Sequence, residues 1–216
     1  MLCKLFTMSK PGGLRLVFDD LKRIRMIKPN PWRGIWIVFA LLLVCSCGKI
    51  QNEYSDFRPY FVYNNNVRQC ARLAEAMTPN SGMFCIIQQQ FISGATYYVF
   101  TNSDGLSQKI IQNDSERQGH YVLGYNNGLI VGYGNLSDPQ VFYAYDLECS
   151  NCFDASSLPV RSKPLHLASG GIAICNVCHR HYNLNNNGVI ISGERGKKLT
   201  RYRASSTGPY GILSVN

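Results

Sequence analysis

Acidic residues are scarce in this chain, with 13 Asp and Glu among 216 residues. Paired-carboxylate acid–base chemistry therefore has no obvious candidates. Histidine is scarcer still, with four, and neither His120 nor His166 has a partner nearby in sequence. No G-x-S-x-G, H-E-x-x-H or phosphate-loop pattern occurs. Only one long apolar run is present, which excludes a protein that crosses a membrane many times. Repeats and low-complexity tracts are absent. Hydrophobicity is not lacking: 45% apolar and 12% aromatic residues exclude wholesale disorder. The length suits one domain or two small ones.

What stands out is a formal charge of +9 and an odd count of nine cysteines. Much of the charge sits at the front, where residues 1–46 hold eight basic residues against Asp19 and Asp20. Ile35 to Val44 then forms an uncharged apolar run, too short to span a bilayer comfortably but matched to the core of a signal peptide. Val44-Cys45-Ser46-Cys47-Gly48 resembles a bacterial lipobox, with an aliphatic residue three before Cys47 and a small one just before it. Cys45 fits less well, because Val44 precedes it. The resemblance implies a lipoprotein-type signal peptide over 1–46 and lipidation of Cys47, which becomes the mature N-terminus. Met26 opens a normal n-region, so translation is expected to start there or at Met8. The competing reading is an uncleaved membrane anchor. Either way the remainder lies outside the cytoplasm and near a membrane.

Without residues 1–46 the charge is +3, from 14 basic and 11 acidic residues. The nucleic-acid class that +9 brings to mind mostly disappears. A basic strip remains at Glu194–Arg203, five basic residues in ten. It reads as a solvated strand face rather than a phosphate-tracking strip.

Residues 47–58 read as a tether, and 59–216 as a β domain. Asn66 is expected to cap one short helix over Val67–Met77, ended by Pro79. Strands are expected near Tyr60–Tyr63, Met83–Gln88, Thr96–Thr101 and Gln140–Asp146. Others follow at Ile172–Ile174, Tyr182–Leu184, Val189–Ile191 and Leu199–Arg203. Tyr121–Tyr125, Asn126-Asn127-Gly128 and Leu129–Tyr133 read as a hairpin. The fold class is mainly β, a small barrel or sandwich. Cys70 and Cys85, fifteen apart, either form a disulfide or remain two buried thiols.

The strongest signal is Cys149-Ser-Asn-Cys152, then 22 residues, then Cys175-Asn-Val-Cys178. Two C-x-x-C pairs at this separation match a tetrahedral metal site. A strand running into a tight turn, a knuckle, aims two thiolates at one point, and two facing knuckles close the tetrahedron. Two disulfides or one thioredoxin-type redox pair are the alternatives, since this compartment oxidises thiols. Neither pair precedes a helix, as a thioredoxin-type pair would.

The stretch Cys175-Asn-Val-Cys-His-Arg-His-Tyr-Asn-Leu-Asn-Asn-Asn-Gly, with Leu199 before Tyr202, resembles the second half of a Rieske domain. Leu147-Glu-Cys-Ser-Asn-Cys152 lies where the first knuckle belongs. The resemblance covers about 120–216 and extends to Rieske-like envelope lipoproteins ending in a Thr-Gly-Pro-aromatic-Gly segment, here Thr207–Gly211. It implies a Rieske-like small β-barrel with two metal-binding knuckles. A Rieske [2Fe–2S] centre needs two Cys and two His. Here Cys178 replaces one His and Asn151 stands at the other position, with Cys152 one further on. His179 and His181 are out of register. The implied ligand set is Cys149, Cys152, Cys175 and Cys178, holding zinc, or else iron or an all-cysteine [2Fe–2S] cluster.

The functional expectation is a membrane-anchored envelope lipoprotein with a structural or binding role, non-enzymatic, with no nucleic-acid partner and an unidentified envelope protein as the other partner. Electron transfer at the same cysteines is the alternative. Gly48-Lys-Ile-Gln lacks the Asp that retains some lipoproteins at an inner membrane, which points to the outer membrane of a Gram-negative cell.

Overall fold

Leu129-Ile130-Val131 is an uninterrupted apolar run, and all three side chains are buried. In a strand, successive side chains point to opposite faces, so this run needs cover on both sides. The computed structural model, which describes residues 52–216, shows what supplies it. The leader over 1–46, the start sites Met26 and Met8, and Cys47 lie outside the described residues.

The strands are β1 (Phe61–Asn64), β2 (Phe84–Ile92), β3 (Ala95–Asn102), β4 (Ser107–Ile111), β5 (Gly128–Tyr133), β6 (Phe142–Asp146), β7 (Leu165–Ala168), β8 (Ile172–Cys175), β9 (His181–Asn183), β10 (Val189–Ser192), β11 (Arg201–Tyr202), β12 (Ala204–Ser206) and β13 (Ile212–Val215). Two short helices accompany them, α1 (Ala71–Ala76) and α2 (Asp114–Gln118). The fold is mainly β, as expected. Its sheets are open rather than closed into a barrel, so the sandwich alternative holds.

A six-stranded sheet of order β11-β6-β5-β2-β3-β4 forms the middle layer. Cys85, Ile87, Leu129, Val131 and Ala144 point to one side, into a core shared with Leu73 of α1 and with Phe61, Leu213 and Val215. Those last three belong to a three-stranded sheet, β1-β13-β12. Phe84, Ile130, Tyr143 and Tyr145 point to the other side, into a second core with Leu165, Ala173 and Tyr182. That core is roofed by a four-stranded sheet, β10-β9-β8-β7. The period of two in β2, β5 and β6 thus sorts neighbouring residues into two separate cores.

Several expectations are corrected. Helix α1 begins at Ala71, not Val67, and Val67 is 76% exposed. Its cap residue Cys70 has no side-chain capping bond. Instead buried Asn65 accepts from the Cys70 N–H at 2.7 Å and donates to the Pro209 carbonyl at 2.6 Å. Among the described residues there are two helices where one was expected. The second, α2, carries an Asn113–Glu116 capping box, a sequence signature for a helix start.

Tyr121–Tyr125 does not pair with β5 as a hairpin partner. Both edges of β5 are taken, by β2 and β6, and Val122 bridges Tyr60 instead. Gly124 has φ +68°, and a Cβ there would meet Asp146 Oδ2 at 2.4 Å. The loop is thereby held against β6. Strands β4, β7 and β13 had no clear sequence signal. The described part of the expected tether is packed rather than free. Phe57 stacks on Tyr125 at 4.4 Å, and the Ser55 N–H donates to the Arg201 carbonyl at 2.8 Å. No helix among the described residues is long and apolar enough to cross a membrane.

Candidate metal centre

Strand β6 ends at Asp146, and three residues later the chain reaches Cys149. The turn that follows is a knuckle: the N–H groups of Cys152 and Phe153 both donate to the Cys149 carbonyl, at 3.1 and 2.9 Å. The Asn151 N–H is directed at the Cys149 sulfur. Strand β8 delivers Cys175 in the same way. There the His179 N–H donates to the Cys175 carbonyl at 2.9 Å and the Cys175 N–H to the Arg180 carbonyl at 3.1 Å. His179 takes φ +55° to complete the turn, a left-handed conformation open to His at modest cost.

The two knuckles are joined at their bases. Glu148 bridges Pro164, and Leu165 pairs with Cys175. As a result all four sulfurs, of Cys149, Cys152, Cys175 and Cys178, lie within 4.8 Å of one another. Cys149 Sγ is 3.7 Å from Cys178 Sγ, and Cys152 Sγ is 3.9 Å from Cys175 Sγ. These separations are far longer than the ~2.05 Å of a disulfide. They match the ~3.8 Å edge of a tetrahedron built from metal–sulfur bonds of about 2.3 Å. The four cysteines are a group that can hold a metal ion.

Electrostatics favour a cation here. Burial pushes the Cys149 thiol up, against the hydrogen bonds from Tyr182 and Asn151. Cys152 is raised by burial and by its sulfur neighbours. Burial also acts on Cys178, but the Arg180 N–H and guanidinium, with Cys152 and Cys175, hold it at about 6. One thiolate is easily borne; four anions this close need a positive ion between them.

Sequence reasoning missed the residues around the sulfurs. The Tyr182 hydroxyl lies 3.2 Å from Cys149 Sγ and accepts from Asn151 Nδ2 at 3.0 Å. Asn151 clamps the loop before β11. Its Nδ2 donates to the Lys197 carbonyl at 2.8 Å, and its Oδ1 accepts from the Lys197 N–H at 2.9 Å. Arg180 favours the Cys178 thiolate and donates through Nε to the Glu194 carbonyl at 2.9 Å. Tyr182 read simply as a strand residue.

The basic strip at 194–203 is solvated over 194–197, but as a loop rather than a strand, and Arg201 within it is buried. Its first half is the loop clamped over the knuckles. Arg201 is 7% exposed, pairs with Glu53 at 2.7 Å and sits between the rings of Tyr54 and Tyr143 at 4.9 and 4.7 Å. A groove of about 280 Å³ beside Cys149 is lined by Asp146, Glu148, Phe153 and Lys197, among others. Its two buried carboxylates are already committed. Asp146 accepts from the Tyr202 hydroxyl at 2.6 Å and the N–H groups of Tyr125 and Glu148 at 2.7 Å. Glu148 accepts from Asn126 at 2.7 Å and Ser162 at 2.5 Å.

No protein-family model, curated protein or solved structure matches this chain. Function therefore has to be argued from the thiolate geometry. Cys70 and Cys85 are free buried thiols, and the disulfide weighed for them is not formed. They belong to the opposite core from Cys149 and Cys175, so the six-stranded sheet separates them from the metal centre.

Proposed function

We propose that this protein is an envelope lipoprotein, tethered through a lipid on Cys47, whose β domain is stapled by one zinc ion on Cys149, Cys152, Cys175 and Cys178. The observation that carries the metal reading is the mutual 4.8 Å limit on the four sulfurs. A single tetrahedral ion needs all four equally close. A two-iron cluster divides its thiolates into one pair per iron and sets the pairs further apart. Four thiolates also fill every position on zinc, leaving none for substrate, so the role is structural or binding. The two facing knuckles agree with the Rieske-like reading of the sequence, with both ligand histidines replaced. Envelope and outer-membrane placement rests on the lipobox-like Val44–Gly48 and the residues after it.

A second reading is electron transfer by iron in the same tetrahedron. It is favoured by the Tyr182 hydroxyl on the Cys149 sulfur, since hydrogen bonds to sulfur tune iron–thiolate potentials. Elemental analysis of the purified protein decides between them. One zinc per chain and a colourless protein is the expected result. Iron with visible absorbance bleached by dithionite overturns the zinc assignment, and stoichiometric sulfide identifies a cluster.

A further inference from the structure

Two short sulfur approaches run across the site, from one knuckle to the other. Cys149 faces Cys178 at 3.7 Å and Cys152 faces Cys175 at 3.9 Å. To become disulfides, the sulfurs of each pair must close by roughly 2 Å. The backbones on either side are already paired at Leu165–Cys175, so side-chain rotation can supply much of that movement. Cys152 and Cys178 are half-exposed, which gives an oxidant an approach. Bonds between knuckles also enclose 29 and 23 residue steps. They restrict the unfolded chain more than a bond inside C-x-x-C would.

We propose, resting on the metal reading above, that these cysteines are also an oxidation site. A peroxide-class oxidant closes Cys149–Cys178 and Cys152–Cys175, the ion leaves, and the two bonds replace it as the staple. Each pair of thiolates loses two electrons as one S–S bond forms. The O–O bond of one peroxide breaks, takes those electrons and leaves as two hydroxide ions. Two peroxides are consumed for each divalent ion released. The domain thus keeps its fold whether metal-loaded or oxidised, and is loosened only when reduced and metal-free.

Metal content of the purified protein is measured first and reports on the metal reading alone. The protein is then treated with hydrogen peroxide, ion release is followed with a chromogenic chelator, and a non-reducing tryptic digest is analysed by mass spectrometry. Cleavage after Arg117, Arg161 and Arg180 places Cys149 and Cys152 in peptide 118–161, and Cys175 with Cys178 in peptide 162–180, because Lys163 precedes Pro164. The expected product is 118–161 linked to 162–180, with electron-transfer fragmentation assigning Cys149–Cys178 and Cys152–Cys175. One ion should be released per two disulfides, and the circular dichroism spectrum should persist. Unlinked peptides with internal disulfides, the opposite cross pairing, or sulfinic acids without disulfides each overturn the proposal. A metal-free preparation overturns the metal reading, and peroxide treatment of the reduced protein then still scores the pairing.

Discussion

Tyr182 connects the metal centre to the fold through one hydroxyl. It reaches Cys149 Sγ on one side and Asn151 on the other, so the sulfur, the knuckle and the loop at Lys197 share one network. Tyr182→Phe keeps the buried ring and removes the hydroxyl. Metal affinity is expected to fall about 10-fold, within the range for losing an outer-layer partner, with the fold retained. Chelator competition measures it, and an unchanged dissociation constant would contradict the role given to the hydroxyl. The four ligands were legible in sequence because C-x-x-C spacing is local. Tyr182 and Asn151 were not. Their roles depend on a contact 31 residues apart, and nothing in either local pattern reports it. Cys70 and Cys85 show the reverse case. Their spacing allowed a bridge, and the structure instead keeps both as free thiols in the core, where burial raises them.

At the scale of the element, α1 shows how a local start signal is overridden. Asn66 precedes an apolar-periodic stretch and looks like a cap, yet the helix begins four residues after Val67. Asn65 does the anchoring from outside the helix, with bonds to Cys70 and to Pro209. Asn65→Ala leaves the buried Cys70 N–H without its acceptor and is expected to cost about 2 kcal/mol. Urea unfolding should show a lower midpoint at unchanged slope. By contrast Asn113→Ala, which removes the exposed cap of α2, should cost about 1 kcal/mol or less. A larger loss there than at Asn65 would reverse this ranking. The failed hairpin has a similar cause. Asn-Asn-Gly does turn the chain into β5, but β2 and β6 outcompete the preceding segment for its two edges. Pairing partners that come from distant sequence are invisible to a local turn signal.

The described domain, 52–216, is three layers, and its middle sheet keeps two sets of thiols apart. Removing each set should therefore have different effects. Cys70→Ala with Cys85→Ala is expected to leave metal stoichiometry unchanged and to cost about 1 kcal/mol apiece from lost packing. Cys175→Ser is expected to abolish metal binding and remove most of the domain's ~5–15 kcal/mol of stability, because metal-binding energy is folding energy. Parallel thermal melts and metal analysis test both. Equal metal loss in the two variants would contradict the separation of the cores. On the proposed anchoring, Cys47→Ala should move the protein from the membrane to the soluble fraction. Retention in the membrane would favour an uncleaved anchor.

The mainly β class, most strand positions and the four ligands follow from alternation, turn residues and spacing, which act over a few residues. The sequence likewise separates a basic stretch over residues 1–46, +6 of the +9 charge, from a weakly charged remainder. Only the tertiary structure decided which cysteines meet. A C-x-x-C knuckle can point its thiolates anywhere until β6 and β8 are brought together, and the 4.8 Å cluster exists because strand pairing fixes that meeting. Long-range contacts likewise hold the loop at Lys197 and pack the described part of the expected tether. Those contacts join residues as much as 148 positions apart, a distance over which the chain has no local pattern to show.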